Sequence, residues 1–163
     1  EVERALPGQR VLKGTPDVVV DGPLGRMVID HKTGNDRRRR QQLAEGSAVQ
    51  LVDYTVIVGE KGKPWPQAAY FQLRSRRLIT TDARVKGAEV VAGPRPKDAW
   101  DVVDKARQRV FAELLQGTLT APAADGTSPS LHVLQDPLQL EPPCAGCPAD
   151  VLCGRAFVVG KSR

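Results

Sequence analysis

The stretch GTPDVVV at residues 14–20, followed by MVIDHKTG at residues 27–34, decides the fold of this chain. Both segments are rich in β-branched residues, and the DGPLG that separates them has the composition of a turn. The sequence therefore predicts a β-hairpin in which Asp17 lies opposite Asp30. Because like charges that face each other across a strand pair are destabilising, we expect these two carboxylates to serve a function rather than a structural role.

A divalent cation between Asp17 and Asp30 would turn their mutual repulsion into a shared attraction. Magnesium prefers oxygen ligands, and the backbone carbonyl of His31 could supply a third oxygen. Lys32 follows Asp30 by two residues, so both side chains point to the same face of a strand. A lysine there can orient an attacking water and stabilise negative charge that develops during hydrolysis. The Asp-x-Lys spacing alone is common, and the hypothesis depends on the whole combination.

This combination resembles the PD-(D/E)XK nuclease superfamily, and most closely its RecB/AddB-type exonuclease branch. In that branch a Gly-x-x-Asp segment leads to a strand ending in Asp-x-Lys-Thr-Gly, and a later helix carries Gln-x-x-x-Tyr. This chain has GTPD at 14–17, DHKTG at 30–34 and QLVDY at 50–54. The resemblance implies an α/β fold with a central mixed β-sheet flanked by helices, the restriction-endonuclease-like core, and metal-dependent cleavage of DNA.

The resemblance also implies the residues of the active site. The catalytic set would be Asp17, Asp30, Lys32, Gln50 and Tyr54. The metal, Mg²⁺ or Mn²⁺, would be held by the two aspartates and the His31 backbone carbonyl. The family places a further glutamate before the Gly-x-x-Asp segment, for which Glu3 is a weak match and Glu1 a weaker one. Without the family, Gln50 and Tyr54 are better explained as the polar edge of an apolar core helix.

The remaining elements are predicted from composition and periodicity. Residues 1–13 favour a short strand or an extended lead-in, residues 33–42 a polar basic connector, and residues 67–73 and 77–81 a strand pair joined by a tight turn. Residues 43–58 are ambiguous between strand and helix, and the resemblance favours a helix for their central part. Trp100 to Gln116 has helical periodicity, with Asp98 as the predicted cap.

The chain carries a net charge of +5, and part of its positive charge is concentrated in two arginine clusters. The clusters are Arg37, Arg38, Arg39 and Arg40, and Arg74, Arg76 and Arg77. Such clusters suit a polyanionic partner, and phosphates are the leading expectation. We predict that Arg37 to Arg40 bind DNA; the alternative from composition alone is a solvated basic surface.

Three cysteines lie within ten residues near the end of the sequence, at Cys144, Cys147 and Cys153. Their spacing resembles the late cysteines of AddB-type nucleases and CRISPR-associated relatives, in which an early cysteine completes a [4Fe–4S] cluster. The resemblance implies such a cluster here, with its fourth cysteine outside this chain. A zinc site with His132 as the fourth ligand and an empty, degenerate site are the alternatives.

These observations predict a nuclease core over residues 1–117, a Pro/Ala-rich arm over 118–143 and a cysteine tail over 144–163. The expected function is metal-dependent DNA hydrolysis, exonucleolytic, in recombination and repair, with a helicase subunit or domain as partner. The alternatives are a non-catalytic DNA-binding module of such an assembly and an RNA-active or CRISPR-adaptation nuclease. The cysteines do not form a secreted disulfide framework, so we expect a cytoplasmic, nucleoid-associated protein. The sequence has no apolar run of about 18 residues, and we expect no membrane span.

Overall fold

The computed structural model describes residues 1–8 and 10–118 of the chain. The predictions for His132, Cys144, Cys147 and Cys153 lie outside the described residues. The same holds for all but the first residue of the Pro/Ala-rich arm.

A five-stranded mixed sheet forms the centre of the described structure. Its strands, in the order in which they lie side by side, are β3 (Val18–Gly22), β4 (Gly25–Lys32), β5 (Gln67–Gln72), β6 (Arg77–Thr80) and β7 (Glu89–Val90). β3 and β4 form the predicted antiparallel hairpin, and the strand pair at residues 67–81 is confirmed as β5 and β6. β4 and β5 are parallel, so their carboxyl ends meet at one edge of the sheet. This confirms the predicted mixed sheet.

Two consecutive helices cover one face of the sheet. They are α1 (Asp36–Glu45) and α2 (Val49–Val58). Their apolar side chains pack against alternate residues of the strands in a buried cluster that consists of Val28, Leu43, Ala48, Leu51, Ala68, Tyr70 and Ile79. The resemblance-based expectation of a helix in the middle of residues 43–58 is thus confirmed for α2.

α2 is apolar on more than one side because its side that is turned away from the sheet also packs against other elements. A second buried cluster joins it to α3 (Pro96–Leu115) through Val52, Val56, Ala99, Trp100 and Val103. The first residues of the chain form a separate hairpin of β1 (Val2–Leu6) and β2 (Arg10–Gly14), which packs against α2 through Leu6 and Leu12. A helix enclosed in this way is held in a single position by packing on several sides.

The prediction of a polar connector over residues 33–42 is wrong, because most of that segment belongs to α1. Asn35 caps the helix, and its side chain accepts a hydrogen bond of 2.8 Å from the backbone N–H of Arg37. Arginine is a good helix former, but four in succession produce no amphipathic period that would reveal the helix. α1 ends at Gly46, which adopts a left-handed φ of 71° and separates it from α2.

The predicted cap of the last helix is also wrong. α3 begins at Pro96, and Arg95 occupies the N-cap position. Proline suits the first turn of a helix because its missing N–H has no partner there in any case. Asp98 lies in that first turn, and its carboxylate accepts hydrogen bonds from the side chain of Arg95. Within residues 1–8 and 10–118, no helix is long and apolar enough to cross a membrane.

Asp53 on α2 makes the stability of the fold depend on pH. Its Oδ1 is buried and has no hydrogen-bond partner among residues 1–8 and 10–118. Burial raises the pKa of Asp53 from 3.8 to about 6, and the nearby Arg107 of α3 opposes this only in part. Between these two values the folded chain binds more protons than the unfolded chain, so this carboxyl lowers stability progressively as the pH rises, and fully above about pH 6.

We therefore expect Asp53→Asn to raise the free energy of unfolding by about 1–2 kcal/mol at about pH 8, after allowance for solvent screening, and to change it little at about pH 4. Urea unfolding at the two pH values measures this difference. Asp101→Asn, on the exposed side of α3, is the matched control for the removal of an aspartate, and the pH effect of Asp53→Asn is measured against it. An equal effect of Asp53→Asn at both pH values would contradict the assignment.

Candidate active site

The end of β4 carries a buried carboxylate beside a lysine. The side chain of Asp30 is 4% exposed, and the Lys32 ammonium lies 2.6 Å from its Oδ2. Oδ2 is nevertheless buried without a hydrogen bond of acceptable geometry. Because a buried anion is costly unless its charge is compensated, Lys32 is the compensating group on this side of Asp30.

Asp17 lies across from Asp30, as the hairpin predicted. The last paired residues of the hairpin are Val18 and Ile29, so Asp17 and Asp30 occupy the next position of the register. The Oδ2 of Asp17 accepts a hydrogen bond of 2.7 Å from the backbone N–H of His31. This bond holds the Asp17 carboxylate at the end of β4, next to the Asp30–Lys32 pair.

α2 extends the site with two further polar side chains. Lys32 Nζ donates to Gln50 Oε1 at 3.3 Å, and Gln50 Nε2 donates to the hydroxyl of Tyr54 at 3.0 Å. Gln50 and Tyr54 are one helical turn apart on the same face of α2. The structure therefore brings the predicted residues into a continuous chain of contacts that runs from Asp30 to Tyr54.

The glycine that begins the Gly-x-x-Asp segment, Gly14, lies where α2 leaves no room for a side chain. A Cβ atom at this position would lie 2.8 Å from Cε1 of Tyr54 and 3.0 Å from Cδ1 of Ile57. Carbon atoms do not approach so closely without displacing one another. The glycine thus allows α2 to pack directly on the backbone of β2, and it leaves room for the Tyr54 ring where the ring meets Gln50.

Sequence reasoning missed Gln72, a fully buried glutamine at the end of β5. It is paired in register with Lys32. With its amide nitrogen turned toward them, Gln72 donates to the carbonyls of Lys32 and Gly34 at 3.2 Å each. The backbone N–H of Leu73 donates to the same Lys32 carbonyl at 3.0 Å. These bonds fix the backbone where β4 ends, and nothing in the local sequence around residue 72 indicates them.

Tyr70 stands beside Asp30 on β5 but is not a candidate proton acceptor. The two residues are register partners in the sheet. Burial is the main cause that raises the pKa of Tyr70 to about 12. Its hydroxyl therefore stays protonated at physiological pH. Arg39 packs over the Tyr70 ring, with its guanidinium carbon 5.5 Å from the ring centroid.

The four consecutive arginines of α1 do not share one environment. Arg39 contacts Tyr70 and donates to Gln42 at 2.6 Å. Arg40 pairs with Glu89 of β7 through an Nη2–Oε2 hydrogen bond of 2.9 Å. Arg37 and Arg38 are exposed, and within the described part of the chain no carboxylate pairs with either of them. Of the four arginines, these first two are thus available to an external anion.

The donor set suits a hard divalent cation that keeps part of its water shell. Asp17 and Asp30 occupy facing positions at the end of the hairpin, and Oδ2 of Asp30 accepts no well-formed hydrogen bond from the described residues. Magnesium commonly uses one or two protein carboxylates, with water and substrate oxygens as the other ligands. Glu3 does not join them: its carboxylate pairs with Lys13 at 2.9 Å. Within residues 1–8 and 10–118, no cluster of three or more His, Cys, Asp or Glu side chains is arranged for a metal.

Comparison with protein families shows the superfamily to which the chain belongs. The model of the PD-(D/E)XK nuclease superfamily matches residues 1–154, which is most of the chain. The chain therefore belongs to the PD-(D/E)XK nuclease superfamily, whose members are usually metal-dependent nucleases. No curated protein and no solved structure matches the chain significantly.

Gly14→Ala tests whether the position of Tyr54 depends on the missing side chain. We expect the added methyl group to clash with the Tyr54 ring and displace it. The displaced ring would then lose the hydrogen bond between its hydroxyl and Gln50. The variant should stay folded, with a loss of about 1–3 kcal/mol in unfolding free energy, as overpacking typically causes. Circular dichroism and urea unfolding measure the fold, and a DNA cleavage assay measures the site.

Gly14→Ala combined with Tyr54→Leu is the matched control. If the clash with Tyr54 is the cause, the second substitution should recover most of the lost stability. Equal destabilisation of the single and double variants would show that the methyl group disturbs something other than the Tyr54 ring.

Proposed function

We propose that this chain hydrolyses phosphodiester bonds in DNA with the help of a divalent metal ion. The observation that carries the proposal is the buried Asp30 carboxylate, 2.6 Å from Lys32 and opposite Asp17. Two facing carboxylates with an adjacent lysine suit phosphodiester hydrolysis, which needs a nucleophilic water and compensation of negative charge on the phosphate. Membership of a nuclease superfamily supports the same reaction.

Asp17 and Asp30 would hold Mg²⁺ or Mn²⁺, together with the backbone carbonyl of His31. When bound, such an ion polarises the phosphate and makes a bound water more acidic. Lys32 is placed to donate hydrogen bonds to the attacking water and to the phosphate oxygens as their charge grows. A flexible ammonium suits this role, because it acts as a compact point charge and can turn its three donors.

Gln50 and Tyr54 would act through and beside Lys32. Gln50 accepts from the Lys32 ammonium and so restricts where the ammonium points. The Tyr54 hydroxyl accepts a hydrogen bond from the Gln50 amide, and its own O–H would donate to the DNA. Both side chains are then positioning residues for Lys32 and contacts for the substrate.

The finer functional assignments rest on the sequence. The Asp-x-Lys-Thr-Gly and Gln-x-x-x-Tyr motifs resemble those of RecB/AddB-type exonucleases. On that resemblance we propose an exonuclease that acts in recombination and repair at the nucleoid, with a helicase as partner. The C-x2-C-x5-C spacing at Cys144, Cys147 and Cys153 favours a [4Fe–4S] cluster. Iron and sulfide analysis of protein purified without oxygen tests the cluster. Zinc in place of iron, or neither metal, would contradict it.

The test of the proposed reaction is the degradation of end-labelled linear DNA, single- and double-stranded, with Mg²⁺, with Mn²⁺ and with EDTA. We expect cleavage with either metal and none with EDTA. Asp30→Asn should abolish cleavage, because it removes a ligand charge while keeping the shape of the side chain. A folded wild-type chain that cleaves neither substrate would instead favour a non-catalytic DNA-binding module.

Lys32→Ala should also abolish cleavage while DNA binding is largely kept, because the lysine acts on the reacting phosphate rather than on the bulk of the DNA. Lys61→Ala, in an exposed loop, is the matched control for the removal of a lysine.

Removing one partner of a buried pair costs about 3–5 kcal/mol, so unfolding of each variant is measured in parallel. The double variant Asp30→Asn/Lys32→Gln avoids an unpaired buried charge and should be folded and inactive. Parallel loss of binding and cleavage in a folded Lys32→Ala variant would contradict this role.

Arg37 and Arg38 should bind DNA phosphates, and Arg39 and Arg40 should matter mainly for the fold. Replacing Arg37 and Arg38 by Gln should weaken binding to all DNA sequences alike and reduce the salt dependence of binding, by about 0.9 in the log–log slope for each phosphate that the variant no longer neutralises. Replacing Arg39 and Arg40 by Gln removes the same charge and should lower the melting temperature instead. An unchanged salt slope in the first variant would remove the start of α1 from the interface.

A further inference from the structure

A second basic segment lies at the same edge of the sheet as the candidate active site. It is the turn between β5 and β6, residues 73–76 with the sequence LRSR, here called the basic turn. Because β4 and β5 are parallel and Lys32 is paired with Gln72, the basic turn begins beside the end of β4. The Leu73 N–H donates to the carbonyl of Lys32 at 3.0 Å, so the basic turn is bonded directly to the strand that carries Asp30 and Lys32.

The arginines of the basic turn are exposed to solvent. Arg74 and Arg76 are exposed, and in the described part of the chain neither is paired with a carboxylate. The neighbouring Arg77 differs, since its guanidinium lies 3.6 Å from Glu89. The Arg74 and Arg76 cations are separated only by Ser75 and repel each other, and an external anion would relieve that repulsion.

Arg76 also has an unfavourable backbone conformation. Its φ of 55° is the only positive φ of a non-glycine residue among the described residues. Glycine or asparagine adopts this conformation at less cost, and a long side chain gains nothing from it. Backbone strain of this kind is often found at functional sites. The Arg76 side chain pairs with no carboxylate of the described fold, so its function is to be sought outside the fold.

Glu89 of β7 binds one arginine of α1 and the arginine that follows the basic turn. It accepts from Arg40 of α1 at 2.9 Å and lies 3.6 Å from Arg77, the residue that follows the basic turn. Arg40 and Arg77 are thereby neutralised, whereas Arg37 and Arg38 on one side and Arg74 and Arg76 on the other keep their charge for an external partner. The two unpaired arginine pairs follow the carboxyl ends of neighbouring parallel strands, so they lie at one edge of the sheet with Lys32.

We propose that the basic turn is a second contact for the DNA backbone, and that Arg74 and Arg76 bind phosphates beyond the scissile one. The substrate then extends along the carboxyl edge of the sheet, from Arg37 and Arg38 across the Lys32 site to Arg74 and Arg76. This inference rests on the proposed function, because it assigns a path to the same DNA substrate.

The test is equilibrium binding of a short fluorescent DNA duplex to the full chain in Ca²⁺, titrated at several salt concentrations. Arg74→Gln/Arg76→Gly removes both charges, and glycine suits the positive φ, so this variant should melt at the wild-type temperature or above it. We expect its affinity to fall about eightfold at ~0.1 M salt, and its log–log salt slope to decrease by about 0.9, for each phosphate that it no longer neutralises. Arg74→Lys/Arg76→Lys should keep most of the affinity.

Lys61→Gln/Lys63→Gln is the matched control. It removes the same charge from an exposed loop that precedes β5, at the opposite end of the sheet. Equal affinity and slope in the control and in Arg74→Gln/Arg76→Gly would overturn the inference, even if the wild-type chain cleaves DNA. Binding that depends on Arg74 and Arg76 in a chain that does not cleave DNA with Mg²⁺ would support the inference and overturn the proposed reaction. A wild-type chain that neither binds nor cleaves DNA would overturn both.

Discussion

The carboxylate of Asp30 is buried at the end of a central strand, and the surrounding structure has to compensate its charge. Transfer of an ionised carboxylate out of water is costly, so an uncompensated Asp30 would destabilise the fold or give up its charge. Lys32 supplies the opposite charge at 2.6 Å, and a second carboxylate, Asp17, occupies the facing position of the hairpin. A divalent cation at this place would compensate both acids, which a lysine alone does not do.

The other elements keep this arrangement in place. α2 supplies Gln50, which accepts from Lys32, and α2 is itself packed between the sheet, α3 and the first hairpin. Gly14 allows that hairpin to approach α2 closely at Tyr54. Gln72 of the neighbouring parallel strand bonds the backbone beyond Lys32. Each of these contacts joins residues that are distant in sequence, so the site depends on the tertiary fold as much as on its own motif.

The parts of this structure that follow from local patterns could be predicted from the sequence. β-Branched runs on both sides of a Gly- and Pro-containing turn specify the hairpin, and its register brings Asp17 opposite Asp30. The i and i+4 spacing of Gln50 and Tyr54 likewise needs only a helix. The start of α3 also has a local signal, because Pro96 is typical of a first helical turn, and Asp98 lies within that turn rather than at the cap.

The parts that depend on packing could not be predicted in this way. α1 has four consecutive arginines and a single buried side chain, Leu43, so no periodic pattern indicates it. Gln72 belongs to no motif, and only the parallel register of β4 and β5 places it beside Lys32. The division of the arginine run into exposed and internally bound residues depends on Glu89 and Tyr70, which lie about 30 to 50 residues further along the chain.

The central claim is that Asp17 and Asp30 together form a divalent-metal site, and Mn²⁺ binding to the full chain measures it most directly. Electron paramagnetic resonance of free Mn²⁺ during a titration, with and without a short DNA oligonucleotide, gives the number of sites and their affinity. The account predicts one saturable site that is lost in Asp17→Asn and in Asp30→Asn and kept in Asp101→Asn, an exposed aspartate of α3. Absence of saturable binding in the wild-type chain, or wild-type binding by Asp30→Asn, would contradict it.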